Sequence, residues 1–217
     1  SYARAWYGKA KLMICIIDYG VGNVQAFLNL YRRMGIDAYR ATISSELDDA
    51  SHLILPGVGH FDHAMNKLNN SGLREKLDNL ILDEKIPLLG VCVGMQVLAN
   101  RSNEGKLSGL GYLPGDVLAF KDSYKGFSLP TPHMGWNHLD LKCESEELPF
   151  QNKDKPEFYF LHSYYFDCHD PEIVLATSNY GLNFPAIVRW KNVFGMQCHP
   201  EKSHGWGERF LKFFAEI

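Results

Sequence analysis

A cysteine, a histidine and a glutamate, far apart along the chain, are of types that together perform nucleophilic acyl chemistry. Cys92 sits in Gly90-Val-Cys-Val-Gly94, a thiol flanked by glycines. An apolar run behind a proline, Ile86 to Val91, leads into it, and Met95, Val97 and Leu98 follow at amphipathic spacing. This pattern predicts a buried strand, a tight turn and a helix. A sharp strand-to-helix turn holds a nucleophile in a strained, exposed pose, and its glycines let backbone pass closely. The helix N-terminus favours the thiolate and an oxyanion beside it. A buried structural cysteine fits this stretch equally well when it is taken alone. The second stretch, Phe194-Gly-Met-Gln-Cys-His199-Pro-Glu201, decides between them. It predicts an apolar strand ending in His-Pro-Glu, with His199 and Glu201 on one face as alternate residues and Pro200 suiting the strand end. A thiol needs a base, and the base needs a group to orient it. Cys92, His199 and Glu201 supply those three roles.

The elements that must position these groups follow in order. Ile14 to Ile17 is a short buried strand, and Gly20 and Gly22 then turn the chain. Asn23 is a candidate helix N-cap, Val24, Phe27, Leu28 and Tyr31 follow at helical spacing, and Gly35 stops the helix. The Gly-x-Gly after this first strand is only a weak match to a phosphate cradle, because the further spacing of a dinucleotide site is missing. Strands are expected at Asp37 to Ala41 and His52 to Pro56, the latter ending in Pro56-Gly-Val-Gly59. His60 and His63 open the next helix and read as surface or packing residues. A helix over 72–83 puts Leu73, Leu77, Leu80 and Ile81 on one stripe. This alternation predicts an α/β fold with a mainly parallel central sheet flanked by helices, with the nucleophile at the carboxyl end of a strand. From Gly111 to Trp190 the pattern changes to short runs between turn residues: Val117 to Phe120, His138 to Leu141, Phe158 to Leu161, Val174 to Thr177 and Ala186 to Trp190. These predict additional antiparallel strands. Pro132-His-Met-Gly-Trp-Asn137 reads either as a packed aromatic turn or as an exposed Trp suited to anchoring an interface. Charged loops around 121–126 and 142–156 are expected at the surface. A last helix, Trp206 to Ile217, carries Trp206, Phe210, Phe213 and Phe214 on one face.

The chain has 217 residues, 46% of them hydrophobic and 22% charged, with a net charge of −3. That suits one globular domain with a full core. No basic run suggests nucleic acid, and no apolar stretch reaches membrane-spanning length. The five cysteines, Cys15, Cys92, Cys143, Cys168 and Cys198, are scattered without a Cys-x-x-Cys pair. Neither a metal site nor a disulfide framework is expected, and a reducing cytoplasm is the simplest setting. Residues 1–12 are basic, carry no acid and lack the apolar core of a signal peptide. They read as a tag or loose extension, with residues 13–217 as the single domain.

Six stretches carry a family resemblance: Asp18-Tyr-Gly-Val-Gly-Asn23, Pro56-Gly-Val-Gly-His-Phe61, Gly90-Val-Cys-Val-Gly-Met-Gln96, Pro132-His-Met-Gly-Trp-Asn137, His162-Ser-Tyr-Tyr165 and His199-Pro-Glu-Lys-Ser203. In this order the chain resembles the class I glutamine amidotransferases, and within them the glutaminase subunits that serve a (β/α)8-barrel synthase in histidine biosynthesis. The resemblance implies hydrolysis of L-glutamine by Cys92, His199 and Glu201, with no metal or organic cofactor. It implies an oxyanion site at the N–H groups of Val58 or Gly59 and Val93. It also implies glutamine recognition by Gln96, Glu104, Ser163 and Tyr164. Taken alone, Glu104 reads as a solvated loop acid. The implied surface for the barrel subunit comprises Asn23, Met134, Trp136, Asn137, Tyr159 and Lys202. Cys198 stands where Phe is more usual in the family, and Val93 where Leu is common. Three other readings remain at this level: a paralogue that feeds ammonia to a sugar amidotransferase, a non-catalytic interaction subunit, and a cysteine peptidase of related fold. The Gln96, Glu104 and Ser163 set suits a free amino acid better than a peptide.

Overall fold

The computed structural model describes residues 12–123, 130–142 and 147–217. The expectation for residues 1–12 falls, apart from Leu12, outside the described residues, and so do parts of the two charged loops and Cys143. Leu12 packs part-buried against the core.

Strand β1 (Ile14–Ile17) is buried along its whole length, and helix α1 (Val24–Arg33) follows. Asn23 caps that helix as expected: its side chain accepts from the Ala26 N–H at 3.2 Å, satisfying an otherwise orphaned donor. Val24, Phe27, Leu30 and Tyr31 form the buried face, with Leu28 only part-buried beside them. Strands β2 (Ala38–Ala41) and β3 (His52–Gly57) come next, then helix α2 (Phe61–Asn70). The expected helix over 72–83 is α3 (Arg74–Asp78), which relaxes into a π-helical turn over Asn79–Asp83. The helix buries Leu77, with Leu73 at its cap, and the wider turn still buries Leu80 and Ile81. Strand β4 (Leu88–Cys92) runs straight into helix α4 (Val93–Gln96).

The second half holds β5 (Gly115–Ala119), the short helix α5 (Phe120–Ser123), β6 (His133–His138), β7 (Asp140–Leu141) and β8 (Glu157–His162). It continues with β9 (Tyr164–Cys168), β10 (Val174–Tyr180), β11 (Leu182–Trp190) and β12 (Val193–Met196), and ends in helix α6 (His204–Glu216). Pro132 to Asn137 is therefore mostly a strand rather than a turn. Its residues pair in register with β8, from His133↔His162 to His138↔Glu157.

Among the described residues, one eight-stranded sheet has the order β2-β1-β3-β4-β12-β11-β10-β7. Pairing is parallel from β2 through to β12 and antiparallel from β12 to β7. Two antiparallel pairs, β5–β9 and β6–β8, stand apart from it. The fold is thus α/β, with a mostly parallel sheet flanked by helices and antiparallel additions, as expected. The topology matters to the site because β12 enters last in sequence yet lies beside β4. Met196 pairs with Val91, and Gly57 of β3 pairs with Cys92. The carboxyl ends of β3, β4 and β12 therefore open at one place, where such sheets hold ligands.

Candidate active site

Cys92 ends β4 with φ 55° and ψ −115°, a backbone pose that side-chain-bearing residues rarely adopt. Two glycines make this turn possible. A Cβ on Gly94 would lie 1.9 Å from the Leu55 carbonyl oxygen, and one on Gly57 would lie 2.3 Å from the Gly94 nitrogen. Neither position can carry a side chain while β3 and α4 stay in contact. The thiol is buried, yet it borders a pocket. Its sulfur lies 3.7 Å from the Leu161 carbonyl oxygen, and Cys92 lines a cavity of about 320 Å³, a volume suited to a small metabolite.

His199 and Glu201 do not sit on a strand. Strand β12 stops at Met196, and Pro200–Lys202 forms a 3-10 turn with His199 just ahead of it. Proline suits the first position of such a turn, where its missing N–H costs nothing. The turn, not strand alternation, brings the two side chains together, and His199 Nδ1 lies 2.8 Å from Glu201 Oε1. Both side chains are 3% exposed. The backbone of His199 is pinned as well: its N–H donates to the Tyr159 carbonyl at 2.9 Å. Its carbonyl accepts from the Ser203 hydroxyl, which accepts in turn from the Tyr159 N–H.

Nδ1–H donates to the carboxylate, so Nε2 is the free nitrogen. It is buried and makes no hydrogen bond within the described protein, and neither does Glu201 Oε2. Cys92 is nevertheless near enough to act on the ring. Burial pulls the imidazole down, but hydrogen bonding and charge from Cys92 and Glu201 outweigh it and push His199 up to about 10. The upward direction stands, because both neighbours favour the cation.

The same pocket gathers the other expected residues. Val58, Gly59 and Val93 line it, with the Val58 side chain 46% exposed and Gly59 at φ +85°. Gln96, Glu104, Ser163, Tyr164 and Lys202 line it too. Gln96 is 2% exposed, and its amide nitrogen is committed to the Tyr164 carbonyl and to Gln197 Oε1, each at 3.1 Å. Glu104 is no freely solvated acid: its Oε2 accepts the Phe61 N–H at 2.8 Å, at the start of α2. A carboxylate in that place is stabilised by the helix N-terminus.

The residues expected at a partner surface sit elsewhere, apart from Lys202. Met134 and Trp136 are 65% and 44% exposed on β6, and Asn23 is exposed ahead of α1. Trp136 stacks on His204 with ring centroids 5.2 Å apart, beside a broader open groove of about 720 Å³. That groove includes no cysteine, so the smaller cavity is the candidate site. The Lys202 ammonium lies 5.8 Å from the Tyr159 ring centroid. Asn137 turns its amide inward, to the Asn179 carbonyl. His60 and His63 are exposed, and His60 accepts from the Asp62 N–H at the start of α2.

Sequence reasoning did not single out three contributors. Tyr19 is buried and donates to the Pro56 carbonyl at 2.7 Å, holding the carboxyl end of β3. Gln197 is fully buried, and its amide nitrogen lies 3.9 Å from the Cys92 sulfur. Its place next to Cys198-His199 was the available signal. His133 and His162 form the third contributor, described below.

A thiol, an imidazole and a carboxylate gathered at one pocket fit nucleophilic acyl chemistry, and comparison with known proteins identifies the class. The model of the family "Glutamine amidotransferase class-I" matches residues 15–216, and the chain belongs to that family of enzymes. Among its relatives is "Imidazole glycerol phosphate synthase subunit HisH" of Bdellovibrio bacteriovorus, 50% identical over 205 residues, covering 94% of this chain and 100% of the relative. The protein of the same name from Bacillus subtilis is 40% identical over 208 residues, covering 94% and 96%. Among solved structures, a glutamine amidotransferase superposes with a TM-score of 0.72 at 19% identity, covering 94% of this chain and 99% of the other. PurLQS from Thermotoga maritima gives 0.71 at 19% identity, covering 95% and 98%. At that identity these structures support the fold alone.

Proposed function

We propose that this chain hydrolyses L-glutamine to L-glutamate and ammonia and passes the ammonia to a (β/α)8-barrel synthase subunit in histidine biosynthesis. The observation that carries this reading is the strained Cys92 elbow beside the Glu201-oriented His199, in one pocket sized for an amino acid. His199 takes the Cys92 proton, and the thiolate attacks the glutamine side-chain amide carbon. The N–H groups of Val58 or Gly59 and of Val93 receive the developing oxyanion. His199 returns the proton to the leaving nitrogen, ammonia departs, and a γ-glutamyl thioester remains on Cys92. Water, deprotonated by His199, then releases glutamate and regenerates the thiol. Gln96, Glu104, Ser163 and Tyr164 hold the amino-acid end, with Glu104 facing the α-amino group and the backbone at Ser163 and Tyr164 facing the α-carboxylate.

Free ammonia is protonated and lost in neutral water, so its delivery needs a closed path. Asn23, Met134, Trp136, Tyr159 and Lys202 are assigned to the partner surface, with Asn137 bracing strand β6 behind it. The barrel subunit uses the ammonia to convert phosphoribulosyl-formimino aminoimidazole carboxamide ribotide into imidazole glycerol phosphate and aminoimidazole carboxamide ribotide. The names of the curated relatives support this acceptor over a sugar acid, and a biosynthetic heterodimer of this kind belongs in the cytoplasm. The test mixes the chain with a histidine-pathway barrel subunit or with a sugar amidotransferase, each with its own acceptor and glutamine as the sole nitrogen source. Product is expected only with the barrel subunit. Product only with the sugar enzyme would move the protein to the paralogous role, and no glutamate in either mixture would mark a non-catalytic subunit.

A further inference from the structure

The reaction makes no use of two buried histidines at the pocket, His162 in its lining and His133 beside it. His133 and His162 are 4% and 5% exposed and face each other in register across β6 and β8. His162 Nδ1 lies 2.8 Å from the Tyr164 carbonyl oxygen. A carbonyl only accepts, so Nδ1 carries a proton. Burial keeps the ring neutral, pulling His162 down to about 3, and its Nε2 must therefore accept. The atom 3.0 Å away is His133 Nδ1, which then carries the shared proton. Burial pulls His133 down as well, to about 4, so its own Nε2 accepts from the Asn137 amide at 3.3 Å. Asn137 is oriented by bonds at both ends, donating to the Asn179 carbonyl at 2.8 Å and accepting from the His138 N–H at 2.9 Å. One tautomer on each ring satisfies every bond in the series. Tyr180 and Phe160 stack on His133 at 4.2 and 4.9 Å and hold its plane. The Tyr164 carbonyl also accepts from Gln96, so it is gripped from two directions.

Resting on the glutamine reading above, we propose that His162 is a positioning residue for the substrate pocket. It clamps the Tyr164 carbonyl and thereby the Ser163–Tyr164 wall, while His133 and Asn137 hold it in the tautomer able to do so. Only Ser163 lies between β8 and β9; Tyr164 opens β9 opposite Ala119, and the Ser163 carbonyl accepts from the Phe120 N–H at 3.2 Å. The side-chain clamp adds a hold on the next carbonyl, that of Tyr164.

Conservative substitutions separate the two ends of the ring. An asparagine amide nitrogen sits near the place of Nδ1, and a glutamine side-chain terminus near that of Nε2. His162→Asn keeps a donor for Tyr164 and loses the His133 contact, whereas His162→Gln does the reverse. In the complex with the synthase subunit, His162→Gln should raise the glutamine KM about tenfold with kcat changed by less than about threefold, the size expected for one lost hydrogen bond. His162→Asn should recover most of that KM while melting at a lower temperature. A purely structural role would make KM follow the loss of stability, and that pattern, or equal KM values in the two variants, overturns the proposal. Should the variants not fold, ¹⁵N spectra of the wild-type imidazoles read the tautomers directly. Nδ1–H on both rings, with no titration between about pH 5 and 8, is expected; Nε2–H on either ring, or a charged ring, overturns it. Wild-type protein that hydrolyses no glutamine defeats the functional reading itself, whereas normal turnover with the wrong KM pattern defeats only the clamp.

Discussion

At the scale of single residues, the site couples a sulfur to an imidazole whose other nitrogen is already committed. Glu201 fixes the proton on His199 Nδ1 at 2.8 Å and leaves Nε2 to face Cys92. Cys92→Ala should abolish glutamine hydrolysis and leave the melting temperature close to wild type, because the 4% exposed thiol contributes little packing beyond a methyl group. Glu201→Gln should lower kcat by roughly 10²-fold, since the ring loses the charge that orients it and stabilises its cation. The raised pKa of His199 has a further consequence. A histidine whose folded pKa lies above its unfolded value of about 6.5 gives stability that is complete below that value. That stability is lost as pH rises toward about 10. Urea midpoints of wild type should therefore fall between about pH 6.5 and 10, and Glu201→Gln should flatten that slope. A slope unchanged by the substitution would show that Glu201 does not hold the imidazolium. The types of these three residues were readable because each needs the chemistry of the others. Tyr19 was not readable: its bond to the Pro56 carbonyl joins two segments with no local pattern in common.

At the scale of elements, backbone proximity decides where the nucleophile stands. The Gly-x-Cys-x-Gly pattern announced a tight turn, and the structure gives its reason in the 1.9 Å that a Cβ on Gly94 would leave to the Leu55 oxygen. Gly94→Ala should destabilise the protein by about 3 kcal/mol in urea unfolding and cut activity with it, because rigid backbone rather than a flexible side chain must yield. A near-neutral effect would mean that β3 and α4 can separate freely. The His-Pro-Glu stretch was legible as chemistry but not as geometry. An extended strand and an extended His199 capping a 3-10 turn can both bring residues 199 and 201 together, and only the end of β12 at Met196 separates them. Strand β9 was hidden for a related reason. The run from Phe158 to Phe166 is aromatic on both sides of His162-Ser163, and a two-residue polar step is too short to announce a new strand.

At the scale of the whole molecule, strand order turns three distant motifs into one site. The parallel half of the sheet was expected from alternating strands and helices. The insertion of β12 beside β4 was not, since residues more than a hundred positions apart share no sequence signal of adjacency. The antiparallel additions bring β6 and β8 together with a neutral histidine pair at the pocket. Their folded pKa values lie below the unfolded one, so the stability they carry is complete above about pH 6.5 and is lost as pH falls toward about 4. Urea midpoints should drop over that window, and His133→Asn should make the drop shallower; an identical slope would show that the pair does not stay neutral. Exposed Trp136 belongs to the partner surface on this account, and Trp136→Ala should weaken subunit association by about 2 kcal/mol without changing thiol alkylation at Cys92. Everything in this reading requires that Cys92 carry the acyl group. The most direct measurement is acid-quenched mass spectrometry of the complex during glutamine turnover, with the cysteine peptides mapped. A γ-glutamyl adduct on Cys92 alone, absent from His199→Asn, is the predicted result; glutamate forming with no adduct, or with the adduct on Cys198, would contradict the account.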